Sequence, residues 1–289
     1  MALILPAYAK LNLTLDVTGR RANGYHDIDS VMQTISLHDL VMVERTECRV
    51  FEVVGPAIEG EKLVLKAARE LEGRVSRALP FTIRLFKRIP MAAGLGGGSA
   101  DAAAFLRAAN LIYALKLSPG ELIEIATAVG QDVPFLLDGG TVRATGLGST
   151  VSPLPAVPPS WRFLVVSPPV EISTRAVYEA VDGGAPSARR TPELIAALER
   201  FSPPPLAGEG GVGAATFGND LEPASRRLFP ALDDAIDRLR DAVPGLTMSG
   251  TGAALFALFD RRQDAERALD GVRGLGYPAW LCRPVPAAA

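Results

Sequence analysis

Between residues 8 and 17 the chain alternates without interruption: Leu11, Leu13, Leu15 and Val17 fall on one face, Lys10, Asn12, Thr14 and Asp16 on the other. A period of two is that of a strand with one buried side, leaving the polar side to solvent or to a ligand. After the Asn23-Gly24 turn signal, residues 31–43 read as an apolar, β-branched strand, with its own partner expected beyond the break at Glu44-Arg45. Leu63, Ala67, Ala68 and Leu71 then recur at helical spacing, and Phe81–Phe86 reads as the next strand. Ala102, Phe105, Leu106, Ala109 and Ile112 predict a second helix, with Ser99 at the expected N-cap and Asp101 in the first turn. Ser118-Pro119-Gly120-Glu121 is a capping box that opens a helix to about Val129, ended by Gly130–Pro134.

The run Ser152–Ser160 is proline-dense and without period, so the expected boundary between two domains lies there, 1–152 and 153–289. Beyond it, Trp161–Val166 reads as a strand, Thr191-Pro192-Glu193 as the cap of a helix to Glu199, and residues 229–241 and 262–273 as two further helices. A glycine turn, Ser249–Gly252, precedes the apolar strand Ala253–Phe259, and Trp280–Cys282 reads as a last strand with the option of rejoining the first domain. Pro203–Ala215 is rich in Pro and Gly with little to bury, which predicts a mobile loop.

Composition narrows the partners. Lys+Arg and Asp+Glu are balanced on both sides of residue 150 (16 and 16, then 14 and 16), which argues against nucleic acid. The start Met1–Pro6 lacks a basic segment and its apolar run is too short for a signal peptide or membrane span, so the expectation is a cytoplasmic protein without membrane partners. Cys48 and Cys282 are far apart, and with only His26 and His38 besides, no metal-ligand spacing arises. Any metal is expected as Mg²⁺ carried by a phosphate ligand.

The strongest chemical signal is Pro90–Asp101, with four glycines in the five positions 94–98, between a strand and an alanine-rich helix. Glycines let the backbone N–H groups turn inward, and a helix start adds unpaired N–H groups and a positive dipole end. The dinucleotide pattern fails, because Ser99 and Asp101 stand where the third glycine belongs; the P-loop fails for want of a lysine between Lys87 and Lys116. A protein-kinase loop fails because neither His-Arg-Asp nor Asp-Phe-Gly occurs. What remains is another kind of phosphate loop or a tight strand-to-helix turn.

These residues resemble the phosphate loop of the GHMP kinases, and the flanks add to the likeness: Ala7–Leu13, Asn23–His26, Gly130–Phe135 and Ser249–Ala253 occur in the family's order over most of the chain. Within that family they look like the branch that phosphorylates the 2-hydroxyl of a cytidine-diphosphate-linked methylerythritol in the non-mevalonate route to isoprenoid precursors. The resemblance implies an α+β fold of two domains, an ATP-binding N-terminal one like ribosomal protein S5 and an α/β substrate-binding C-terminal one, with the active site in the cleft between them. It implies ATP and Mg²⁺ as cofactors, and a monomer or weak homodimer is the expected state.

By the same resemblance Asp132 is the base beside the acceptor hydroxyl, and Lys10 the cation that stabilises charge on the attacking oxygen. Pro90, Gly94, Leu95, Gly96, Gly97, Gly98 and Ser99 are implied at the ATP phosphates. Tyr25 and His26 match the cytosine contacts, Tyr178 the opposing aromatic; Asn12 is placed at the methylerythritol end, and Thr174 and Thr251 near substrate and phosphates. No protein side chain is assigned to a metal. Lys62 replaces the common Asn before the helix near the adenine, and Gly146-Leu147-Gly148-Ser149 replaces the usual Gly-x-Gly-Glu, so adenine contacts do not carry over. Two rivals are a homoserine- or mevalonate-type kinase, which gives Tyr25-His26 no task, and a non-catalytic nucleotide-binding module, which gives Lys10 and Asp132 none.

Overall fold

The computed structural model describes residues 2–55, 62–181, 189–200 and 217–288; the loop predicted at 203–215 lies outside them. The chain opens with β1 (Ala2–Asn12), β2 (Thr14–Arg20), β3 (His26–Arg45), β4 (Val50–Val54), α1 (Leu63–Val75) and β5 (Phe81–Phe86). It continues with α2 (Gly97–Ile112), α3 (Pro119–Val129), α4 (Val133–Asp138), β6 (Thr141–Gly146) and β7 (Thr150–Pro153). The rest comprises β8 (Arg162–Val166), α5 (Thr174–Ala180), α6 (Arg190–Glu199), β9 (Gly218–Asn219), α7 (Glu222–Leu228), α8 (Pro230–Ala242), β10 (Thr247–Met248), β11 (Leu255–Phe259), α9 (Arg262–Gly274) and β12 (Ala279–Cys282).

The 20-residue β3 is the spine of the first sheet, pairing antiparallel with β1, β2, β5 and β6 along its length. A second sheet, β10-β11-β8-β12, is antiparallel throughout. Ala9, Leu11 and Leu13 of the first sheet pack with Phe163, Val165 and Phe256 of the second in one apolar core. Helices α1 to α4 cover the other face of the first sheet and α7 to α9 pack with the second, giving four layers. Ten of the 16 residues of α2 are buried, six of them alanines, so the helix seats against both β1 and α1. That close seating carries its first turn to the end of β1, where the polar side chains lie.

Several expectations need correction. The alternating stretch 8–17 is two strands broken at Leu13, and its polar face is not solvated: Lys10, Asn12, Thr14 and Asp16 are all buried. The strand after Glu44-Arg45, β4, runs parallel to β5 and is not a partner of β3. Ser99 does not cap α2; the cap position is Gly96, in left-handed conformation, so Asp101 lies beyond the first turn. Thr191 sits inside α6, and its buried hydroxyl bonds Thr14 Oγ1 and the Asp29 carbonyl instead of capping. β12 joins the second sheet, while the segment after it returns to the first: Ser36 N–H donates to the Arg283 carbonyl, Val285 N–H to Thr34 and Ala288 N–H to Asp138.

Candidate active site

The glycine loop leaves β5 and enters α2 through three left-handed residues, Ala92 at φ +50°, Gly94 at φ +74° and Gly96 at φ +70°. A Cβ on Gly94 would overlap the Ser249 carbonyl oxygen, because the second glycine turn, Ser249–Gly252, lies directly on the loop. Ala254 N–H, donating to the Ala93 carbonyl at 3.1 Å, holds the two together. With no side chain capping α2, the N–H groups of Gly97, Gly98 and Ser99 are left for a ligand. A cavity of about 620 Å³ opens there, walled by Lys62–Val64, Lys87 and the loop Pro90–Ser99. Pro90 and the four glycines line it; Leu95 presents only backbone, its side chain being buried in the core between the sheets.

Lys10 is tied to the loop by its own N–H, which donates to the Leu95 carbonyl at 2.9 Å. Its buried ammonium donates to Asn12 Oδ1 at 2.5 Å and stands 3.7 Å from Asp132 Oδ2. An ammonium taken out of water needs such partners. Asn12 is fixed in turn, its N–H donating to Ser249 Oγ at 3.0 Å and its amide to Ser30 Oγ at 2.8 Å. Asp132 occupies the N-cap position of α4, where a carboxylate ordinarily accepts from the helix, yet it makes no capping bond and is turned to Lys10. The two residues lie 122 positions apart in sequence and meet only because β1 and α4 both border α2.

A second cavity, about 1020 Å³, adjoins the first and shares Gly94, Gly96, Ser99 and Thr174 with it. Lys10, Asn12, Asp132, Tyr25, His26 and Tyr178 all line it. His26 is 5 % exposed and neither ring nitrogen has a partner among the described residues. Burial, reinforced by the Arg20 charge, lowers its pKa, so at pH 7 the ring is neutral and offers one donor and one acceptor. Tyr178 stands against it with ring centroids 5.8 Å apart, and burial followed by the Asp132 charge pushes its hydroxyl to about 12. Tyr25, 63 % exposed, marks the rim, and Thr174 Oγ1 lies 3.1 Å from Thr251 Oγ1 at the junction of the cavities.

Three residues beside the site were not singled out from the sequence. Asn219 holds the second glycine turn through bonds from its amide to the Met248 and Gly250 carbonyls, at 2.8 and 2.6 Å, with no local signal to announce it. Lys87 and Asp39 meet Asp101 under the glycine loop. A signal existed for that cluster: Asp101 shares the helical spacing of Phe105, Ala108 and Ile112, and a carboxylate on an apolar face calls for a partner.

The profile for the GHMP kinases N-terminal domain matches residues 62–140, and that for the GHMP kinases C-terminal matches residues 192–277. A 4-diphosphocytidyl-2-C-methyl-D-erythritol kinase of Caldicellulosiruptor saccharolyticus is 37 % identical over 279 residues, 94 % of this chain and 93 % of that protein. The chain belongs to the 4-diphosphocytidyl-2-C-methyl-D-erythritol kinases of the GHMP family. Another such kinase, from Moorella thermoacetica, is 39 % identical over 92 % of this chain and 93 % of its own. A solved 4-(cytidine 5'-diphospho)-2C-methyl-D-erythritol kinase superposes with a TM-score of 0.79 at 32 % identity, covering 99 % of this chain and 100 % of that one. The homoserine kinase of Cytophaga hutchinsonii, at TM-score 0.71 and 18 % identity over 99 % and 95 % of the two chains, shares the fold. In this chain the N-terminal match takes in the glycine loop and Asp132, while Lys10, Tyr25 and His26 precede both matched segments and Tyr178 falls between them. Among the described residues no helix is long and apolar enough to cross a membrane.

Proposed function

We propose that the chain transfers the γ-phosphoryl group of ATP to the 2-hydroxyl of 4-diphosphocytidyl-2-C-methyl-D-erythritol, giving the 2-phosphate and ADP. The observation that carries this is the Lys10–Asp132 pair at the junction of two cavities that share Gly94, Gly96 and Ser99. The first cavity takes ATP, its phosphates on the N–H groups of Gly97, Gly98 and Ser99. The dipole of α2 favours them by about 0.3–1 kcal/mol, rising to ~2 kcal/mol when partly buried. The second takes the acceptor, with cytosine between Tyr25 and Tyr178 and its polar edge on the unpartnered His26 nitrogens.

Asp132 accepts the proton of the 2-hydroxyl, the freed oxygen attacks the γ-phosphorus, and the bond to the β–γ bridging oxygen breaks to release ADP. Lys10 stabilises the charge gathering on the attacking oxygen. The described residues contain no cluster of three or more His, Cys, Asp or Glu side chains able to hold a metal. Mg²⁺, which commonly keeps several waters and is held largely through substrate phosphates, would be carried on the ATP phosphates and would neutralise part of their charge. The division into lobes 1–152 and 153–289 is supported to within a residue by the change of sheet, β7 ending at Pro153 in the first and β8 starting at Arg162 in the second, but β9 and residues 283–288 pair back onto the first.

ADP release by purified protein with MgATP and a panel of acceptors tests the reading. The cytidine-linked methylerythritol is expected to drive turnover, with homoserine, mevalonate and free sugars inert. Turnover on one of the latter, or none on any, overturns it. Removing one stacking partner is expected to cost roughly 1–3 kcal/mol, so Tyr25→Ala should raise the KM for the acceptor by about 5- to 150-fold and leave that for ATP unchanged. Equal effects on both would remove the base-stacking role.

A further inference from the structure

Lys87 follows β5 and Asp101 lies in the second turn of α2, so the glycine loop runs between them. They are joined across it, Lys87 Nζ to Asp101 Oδ2 at 2.7 Å, and the same ammonium is paired with Asp39 of β3. The three side chains are 5 %, 3 % and 0 % exposed, in the order Lys87, Asp101, Asp39. Asp39 is fully engaged, its other oxygen accepting the N–H groups of Arg88 and Ile89 where the loop begins. Asp101 is not: its Oδ1 is buried and has no hydrogen-bond partner among the described residues. Both Lys87 and Asp101 line the first cavity, and a Cβ on Gly97 would come within 3.6 Å of the ammonium.

One ammonium and two carboxylates leave an uncompensated negative charge directly beneath N–H groups suited to an anion. A polyanion seated above it would meet that charge in a medium of low dielectric, where repulsion is strong. We propose that nucleotide phosphates bind the glycine loop together with a proton taken up by Asp101, which makes the Lys87–Asp39–Asp101 cluster the charge-matching support of the loop.

The inference rests on the nucleotide reading of the first cavity. Burial raises Asp101 to about 7, opposed by Lys87 and reinforced by Asp39. Among the described residues, Lys87 and Asp39 are the charged groups that act on it. Lys10 of β1 is turned to Asn12 and Asp132, and Lys66 of α1 donates to the Val129 carbonyl. Lys62 at the start of α1 lies over the Phe51 ring. Glu121 and Glu124 of α3 pair with Arg74, and Asp138 is exposed at the far end of α4. Bound phosphates raise the Asp101 pKa further, so protons are absorbed on binding and nucleotide affinity falls as pH rises through neutrality, by at most tenfold per pH unit.

Titration calorimetry of the full chain with MgADP at pH 7.5, in two buffers of different ionisation enthalpy, reads the proton number directly. A net uptake of a fraction of a proton per nucleotide is expected, because Asp101, raised by burial, is only partly protonated before the phosphates bind. Asp101→Asn, isosteric and uncharged, is expected to bind MgADP with the same heat in both buffers. Binding by the wild-type chain without proton uptake, or equal uptake in Asp101→Asn, overturns the inference while leaving nucleotide binding intact. Absence of MgADP binding to the wild-type chain overturns the nucleotide reading and this inference with it. Should Asp101→Asn fail to fold, the wild-type heats decide: uptake supports the inference and its absence overturns it.

Discussion

Asp132→Asn is expected to lower turnover by about 10²–10⁴-fold while leaving the thermal unfolding transition in place. The carboxylate makes no cap bond to α4 and is partly exposed, so the amide costs the fold little. It removes the group proposed to take the acceptor's proton. Lys10→Ala is expected to lower turnover by at least ~10²-fold through the charge on the attacking oxygen. Because the two side chains face each other at 3.7 Å, the double variant should lose less than the product of the single losses. Steady-state ADP release, with melting curves as the control for folding, measures all three. Near-wild-type turnover in both single variants would remove the pair from the chemistry.

Gly94→Ala is expected to destabilise the chain by about 2–5 kcal/mol and to abolish nucleotide binding. Two costs add: a left-handed backbone that Ala resists, and a methyl group driven into the Ser249 carbonyl. The loop then moves off the second glycine turn, and with it goes the Leu95 carbonyl that holds the Lys10 backbone. Gly120→Ala is the comparison, since a Cβ there meets nothing within 4 Å and the position lies in the first turn of α3. Unchanged melting of Gly94→Ala in denaturant or heat would show that the contact between the two turns does not hold the loop.

What the sequence exposed was whatever a short window can encode. The capping box at Ser118 is complete in the structure because all of its bonds lie within four residues. Phe81–Phe86 and the helix after the glycine loop were legible for the same reason, their period being local. Ser99 misled because an N-cap rule weighs side chains, whereas Gly96 ends the loop by conformation alone and leaves the N–H groups uncapped. The buried polar face of β1 could not be read from alternation, since period two states that the faces differ and says nothing of what covers the second one. Alternation kept Lys10 in view, but the roles of Lys10 and Asp132 emerged only from resemblance. Their encounter depends on how α2 seats between β1 and α4, a property of packing over more than a hundred residues.

The segment beyond β12 gives the molecule a direction in time. Synthesis delivers β1 to β7 first, yet Thr34, Ser36 and Asp138 receive their backbone partners from Arg283, Val285 and Ala288, residues made after the whole second sheet. Ala287 fills the space beside Gly140, so closely that a Cβ there would strike it at 2.9 Å. The sheet that is made first is therefore completed only after the second has been made, and β3 with its neighbours waits for residues 283–288 before its final hydrogen bonds can close.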